Sequence, residues 1–517
     1  MIDLNAIDAV VAQGPYTDTW ESLSQVQVPG WFPDAKFGIF THWGLYTVPE
    51  YRNEWYSRNM YIQGYPEYEH HREAYGPQNE FGYKDFIPMF TAERFDADEW
   101  LDLFKTAGAR YYFPVSEHHD GFQMYRSELS HWNTVEMGPH RDIIGELREA
   151  TLRHGLHFAT SNHRAEHWWF MGHGMEFDSD MRAAAPMKRG DFYWPATPEP
   201  DNQDLFSVPK PTSEFLDDWL LRVCELIDSY RPEMLYFDWW IQHNAFKPYV
   251  RKLAAYYYNC GVEWGVPVII CYKDDGMAWG AGLYDVERGG LSSATPYVWQ
   301  TDTAIARNSW CYTNSLEYKD LAELVVTLVD AVGKNGNLLL NVGPRADGSI
   351  AARDRELLEG IGRWMDANGD GIYGTRPWRL AEEGPTHAAE GLFADQNALE
   401  YTAADWRFTA KDGDVYAFCL NPAGASAADA TGAGDRETAR ETAASDRGTM
   451  RETLTIAAFA AYHDGIRAPF HGIVAGVEQL GAGPVPYERT NDGLVITPAA
   501  RPNTAPTVPI GFRITVA

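Results

Sequence analysis

Along its first 375 or so residues the chain alternates short, nearly continuous apolar runs with longer stretches whose apolar positions recur every three to four residues. The continuous runs fall at 36–41, 109–115, 156–161, 234–237, 267–271 and 337–342. Runs without polar alternation predict strands of a parallel sheet covered on both faces. The periodic stretches at 96–107, 142–153, 213–230 and 315–332 predict amphipathic helices. Asp96 followed by Glu99 fits a capping box at the start of the first of these. A repeated βα pattern of this length predicts a TIM-like (β/α) barrel, with room for distortion, over an open doubly wound sheet. Neither G-x-G-x-x-G nor a P-loop is present to mark a nucleotide site.

The texture changes after Tyr373-Gly374-Thr375. Helical periodicity fades, and short β-type segments appear at 400–402, 407–409, 415–420, 453–459, 494–497 and 511–516, separated by turn residues. This predicts an antiparallel β-sandwich over 376–517 behind a catalytic barrel over 1–375. Residues 423–452 are almost all Ala, Gly, Asp, Arg, Glu and Thr, with an Arg-Glu-Thr echo too short to be a structural repeat. They read as a flexible surface insertion between two strands.

Composition adds three constraints. The formal net charge is −30, a surface that repels phosphate backbones and anionic lipid, so nucleic acid and membranes are poor partners and a neutral substrate fits. Five cysteines, Cys224, Cys260, Cys271, Cys311 and Cys419, are widely spaced without a C-x-x-C pair, as in a cytoplasmic protein with reduced thiols. The acidic start, Met1 to Asp8, does not resemble a secretory leader, which points to the same cytoplasmic location. The 19 Trp and 29 Tyr supply a large core and only weakly favour a sugar site, where such rings stack on sugar faces.

Candidate chemistry lies where the apolar runs stop, at the rim where barrel enzymes keep their active sites. The runs end in Thr41-His42-Trp43, Glu117-His118-His119-Asp120, Asn162-His163-Arg164, Asp238-Trp239-Trp240 and Lys273-Asp274-Asp275. An Asp after an apolar strand can simply cap a helix, and so can Asp238. The His-His-Asp cluster invites a metal reading, but neighbours on a strand point to opposite faces and rarely share one ion. No metal or other cofactor is therefore expected.

Several of these segments strongly resemble glycoside hydrolase family 29, the α-L-fucosidases: Phe37 through Pro49, Glu54-Trp55-Tyr56 with Met60, His118 through Phe122, Tyr236-Phe237-Asp238-Trp239, and Asn337 through Pro344. The matches run in order over roughly residues 20–378. The resemblance implies a barrel followed by a β-sandwich, and a retaining exo-α-L-fucosidase that works by double displacement on fucosylated oligosaccharides. Asp238 matches the family nucleophile. The acid/base occurs in two contexts, a Trp-Glu pair or an E-R-G turn. Here the first reads Trp299-Gln300, so Glu287 of Glu287-Arg288-Gly289 takes the role, with an ordinary ion pair to Arg288 as the plain alternative and Asp274 and Asp275 in reserve.

The resemblance also implies that His42, Glu54, His118 and His119 bind sugar hydroxyls and that Trp55 lines their pocket. Tyr236 occupies a wall position where many relatives carry Trp, and His163 is placed in the wall at a position where relatives vary. Trp310 matches an aromatic packed on the fucose methyl. Relaxed linkage preference is the expectation. A non-catalytic sugar-binding relative, or a retaining glycosidase of the same fold with another sugar, stands as the alternative.

Overall fold

A computed structural model describes residues 2–202, 204–396, 399–422, 453–461, 469–500 and 507–517. Eight parallel strands close a barrel in chain order. They are β1 (Phe37–Thr41), β2 (Tyr111–Glu117), β3 (His157–Asn162), β4 (Met234–Phe237), β5 (Ile269–Lys273), β6 (Leu283–Glu287), β7 (Trp299–Ala304) and β8 (Gly336–Val342). Six of them coincide with the apolar runs to within two residues. The other two, LYDVE and WQTDTA, carry acids and amides on buried faces and give no apolar run to read. The segments 274–282 and 288–298 that lead into these strands contain no helix, which is the distortion of the barrel.

The helices follow their sequence signals with small shifts. Ser213–Tyr230 starts and ends as expected, its Thr212 cap accepting from the Phe215 amide. The helix anticipated at 315–332 is Leu321–Gly333, because Asp320 caps it at the Glu323 amide. Asp96 accepts from the Asp98 and Glu99 amides, but Glu99 reaches out to Arg355 instead of back to the cap, so only half of the capping box forms.

By its internal contacts the chain divides into two compact units. The first comprises Met1–Arg288, Trp299–Lys319 and Leu338–Glu359 and holds every candidate site residue; the second comprises Gly289–Val298, Asp320–Asn337 and Gly360–Ala517. Within the second unit, β9 (Arg376–Glu383), β10 (Trp406–Lys411), β11 (Asp414–Cys419), β13 (Val474–Gln479), β14 (Gly483–Pro484) and β17 (Ile510–Val516) form one antiparallel sheet. A second, smaller one is built from β12 (Leu454–Ile456), β15 (Tyr487–Arg489) and β16 (Leu494–Ile496). Side chains of both sheets, Trp406, Phe408 and Phe512 with Leu454, Ile456 and Leu494, share one buried core. Residues 400–402 are not a strand: Asp405 takes the Thr402 amide and hydroxyl into a turn. The insertion expected at 423–452 lies outside the described residues.

Candidate active site

The polar residues of the rim meet over one end of the barrel. His42 is the first residue past β1, and its Nδ1 pairs with Asn341 Oδ1 of β8 at 2.7 Å. Asn341 also donates through Nδ2 to the Trp310 carbonyl at 2.6 Å. One amide on a rigid strand thus orients the imidazole and the loop bearing Trp310, and it leaves His42 Nε2 as an acceptor. Glu54 closes the other side of that loop, accepting from the Trp310 amide at 3.0 Å. The Trp310 ring lies 5.1 Å from His42, and the Arg288 guanidinium sits 4.5 Å from its centre. Trp55 stands edge-on to His119 at 6.1 Å and to Phe170 at 5.1 Å.

His118 and His119 both turn into this cluster, their rings 4.4 Å apart. Strand alternation would send them to opposite faces, but β2 ends at Glu117 after a register shift, so the pair sits on a turn where alternation no longer holds. His119 donates through Nδ1 to the His163 carbonyl at 2.8 Å and lies 3.3 Å from Asp238 through Nε2. With both nitrogens facing oxygens the ring suits a cation. Burial opposes that charge, but Glu166 and Asp238 outweigh it and raise His119 to about 9. His42 and His118 are held well below the ordinary histidine value, by burial first and by neighbouring imidazoles second, and stay neutral.

Asp238 follows β4 directly, and its carboxylate caps no helix. Oδ2 meets His163 Nδ1 at 3.1 Å, and Oδ1 accepts from Lys273 Nζ at 2.7 Å. The same ammonium donates to Glu287 Oε2 at 2.6 Å, and Trp239 Nε1 donates to that oxygen at 2.8 Å. Glu287 is the last residue of β6 rather than part of a surface turn, and Arg288 beside it stacks on Trp310. Burial would raise Asp238, but Lys273, His119 and His163 prevail and hold it well below the usual carboxylate range. For Glu287 burial wins: against the pull of Lys273, and helped by the charges of Asp238 and Asp302, it is pushed up to about 7.

Tyr236 faces the barrel interior, donating its hydroxyl to Asp302 at 2.9 Å, with Lys273 Nζ 5.2 Å from its ring. The reserve acids Asp274 and Asp275 are exposed in the turn after β5 and take no part in the cluster. Lys273, one residue earlier, joins the cluster although the sequence marks it only as the start of a polar run at the rim; Asn341, Asp302 and the buried Glu166 join it with no sequence signal that singles them out. The signal for Lys273 was its position, first in the polar run Lys273-Asp274-Asp275 that stops one of the apolar runs at the rim.

Among the described residues, two sets of side chains offer ligand atoms within 4.8 Å of one another, His42 with His118 and His163, and His119 with His163 and Asp238. The adjacent histidines fall in different sets. The second set is already closed by its own hydrogen bonds. In the first, His163 is spent on Asp238 through Nδ1 and on the Ser161 hydroxyl through Nε2, so the neutral imidazoles that suit sugar hydroxyls directly are His42 and His118.

A family model for alpha-L-fucosidase matches residues 4–370. The chain belongs to that family, glycoside hydrolase family 29. Among curated relatives of this α-L-fucosidase are the human tissue alpha-L-fucosidase, 31% identical over 79% of this chain and 80% of the relative, and the human plasma alpha-L-fucosidase, 33% identical over 70% and 73%. Among solved structures, that of the Thermotoga maritima alpha-fucosidase in complex with fucose covers 97% of this chain and 100% of its own, at 28% identity and a TM-score of 0.68. An α-L-fucosidase has to hold a small neutral sugar against an ionised carboxylate and a protonated one. The rim of this barrel offers both, with neutral imidazoles and indoles around them.

Proposed function

We propose that this α-L-fucosidase is a retaining exo-enzyme acting by double displacement on fucosylated oligosaccharides, with Asp238 as nucleophile and Glu287 as acid/base. The observation that carries this is the single Lys273 ammonium shared by both carboxylates, which limits the gap between the two oxygens it binds to about 5 Å. Carboxyl pairs roughly 5–5.5 Å apart serve retention, whereas inversion needs roughly 6.5–9.5 Å to seat a water between them. The two proton affinities are also split as the reaction needs. An ionised Asp238 attacks the anomeric carbon while Glu287, still protonated near neutrality, gives its proton to the leaving oxygen. Glu287 then takes a proton from the water that releases fucose. His42, His118, Glu54 and Trp55 present the acceptors and donors that three ring hydroxyls require, and Trp310 supplies an apolar face for the methyl. Gln300 in the Trp-Glu position removes no needed carboxylate, because Glu287 approaches from the neighbouring strand.

Proton NMR of aryl α-L-fucoside hydrolysis tests the stereochemistry: α-L-fucose is the first anomer expected, and initial β-L-fucose would end the retaining assignment. Azide is expected to rescue Asp238→Gly and Glu287→Ala with fucosyl azides of opposite anomeric configuration. The same anomer from both variants would show that one role is misassigned. Relaxed linkage preference, inferred from the early motif set, predicts turnover of α1,2-, α1,3- and α1,4-linked fucosides in product analysis; strict dependence on a branched trisaccharide would refute it. A cytoplasmic location is proposed on the five cysteines, all buried and none joined in a disulfide. Reductant should therefore leave the thermal midpoint of the protein unchanged.

A further inference from the structure

Beneath the catalytic pair sits a second pair of carboxyls that the proposed reaction does not use. Asp285 on β6 and Asp302 on β7 are 0% and 1% exposed. Asp285 precedes Glu287 by two residues on the same face of its strand, and it is the register partner of Lys273. Asp302 is the register partner of Glu287. Each acid has one oxygen satisfied: Asp285 Oδ2 accepts from Gln300 Nε2 at 2.7 Å, and Asp302 Oδ2 accepts from the Tyr236 hydroxyl at 2.9 Å. The other oxygen of each, Oδ1, is fully buried and meets no donor among the described residues. The two carboxyls nevertheless lie within hydrogen-bond reach of each other. Two acceptors can bond only with a proton between them, and two adjacent buried carboxyls cannot both ionise.

We propose that Asp285 and Asp302 share one buried proton through their Oδ1 atoms, and that the single negative charge left on the pair positions Lys273 and keeps Glu287 protonated. The inference rests on the roles given above to Asp238 and Glu287. Burial and the facing Asp302 hold Asp285 well above the usual carboxylate range, against the pull of Lys273 and the Gln300 hydrogen bond. The charged and titratable groups around the pair are Tyr236 and Asp238 of β4 and the residue after it, Cys271 and Lys273 of β5, and Glu287 of β6. Only Lys273 among them is a cation. Left alone with Glu287 it would draw the proton off, and the charge of the pair opposes that pull from below. Asp285 and Asp302 are positioning residues: they touch Lys273 and Glu287 through the field and Tyr236 through a bond, never the sugar.

Two measurements test this. Asp285→Asn keeps a donor toward Asp302 and leaves the charge in place, so the basic limb of the kcat/KM profile should stay within about 0.3 pH unit. The double variant Asp285→Asn with Asp302→Asn removes the charge, and the limb should move acid by about one unit, the scale of one lost neighbouring charge. Equal limbs in the double variant and wild type would overturn the proposal. The second measurement needs neither turnover nor the double variant to fold. At about pH 9, where Glu287 has ionised, wild-type protein should retain the infrared carbonyl stretch of a buried carboxylic acid, and Asp285→Asn should lack it. A band absent from wild type, or surviving in Asp285→Asn, would sink the shared proton. Failure of azide rescue, by contrast, would fault the roles of Asp238 and Glu287 and leave the infrared result standing.

Discussion

Lys273 is the side chain on which the electrostatics of the pocket turn. Its burial would strip its proton, but Asp238 and Glu287 hold it above the usual lysine value and keep it charged. Replacing it with Met removes the counter-charge from both carboxylates at once. Asp238 would then rise towards neutrality and Glu287 would rise further, so both limbs of the pH profile should shift alkaline. The maximal kcat/KM should fall about 10²–10³-fold, the usual cost of removing one preorganised electrostatic partner. Unchanged limbs in Lys273→Met would contradict this account. In the intact enzyme kcat/KM should drop tenfold per unit above about 7, since a raised acid that must hold its proton loses it as pH climbs through that value. Asn341→Leu leaves the His42 Nδ1 and the Trp310 carbonyl unpaired, for about 1–3 kcal/mol, and should raise KM more than it lowers kcat. Asp238 and His42 were legible in sequence because they stand at motif positions after apolar runs. Asn341 sits inside such a run, where a polar residue reads as an interruption, and the contacts that give it a role come from 31 and 299 residues away.

At the level of elements, the strands easiest to read are those whose inner and outer faces are both apolar. β6 and β7 escaped because their inward faces carry Asp285, Glu287, Gln300 and Asp302, residues that in isolation predict a loop. Their burial is tolerated because these groups bond one another, Tyr236 and Lys273. The turn after β8 depends on Gly343, where a Cβ would lie 2.4 Å from the Tyr312 amide nitrogen and 2.6 Å from the Cys311 carbonyl carbon. Neither backbone atom can rotate away. Gly343→Ala should therefore displace the loop that carries Trp310, and a raised KM with a lowered thermal midpoint is the expected result. The ends of β2 and β3 are tied to the helix Ser213–Tyr230 by a buried ion cluster in which Glu117 and Asp218 each bond both Arg164 and Arg222. Arg222→Met leaves these charges short of a partner and should cost about 3–5 kcal/mol in denaturant unfolding.

For the whole molecule, a formal charge of −30 sets a strongly negative field around a pocket that takes an uncharged substrate. Binding and turnover should then depend little on ionic strength, unlike the phosphate- or carboxylate-directed enzymes for which steering matters. The shared lysine extends this to the chemistry itself. In the proposed double displacement, Asp238 surrenders its negative charge when it becomes an ester, and at the same moment Glu287 acquires one by giving up its proton. The anion changes seat across a fixed ammonium, and the sum within the pocket is the same in free enzyme and intermediate. Neither half of the cycle has to recruit or expel a mobile ion, and the surrounding field has no net charge movement to oppose.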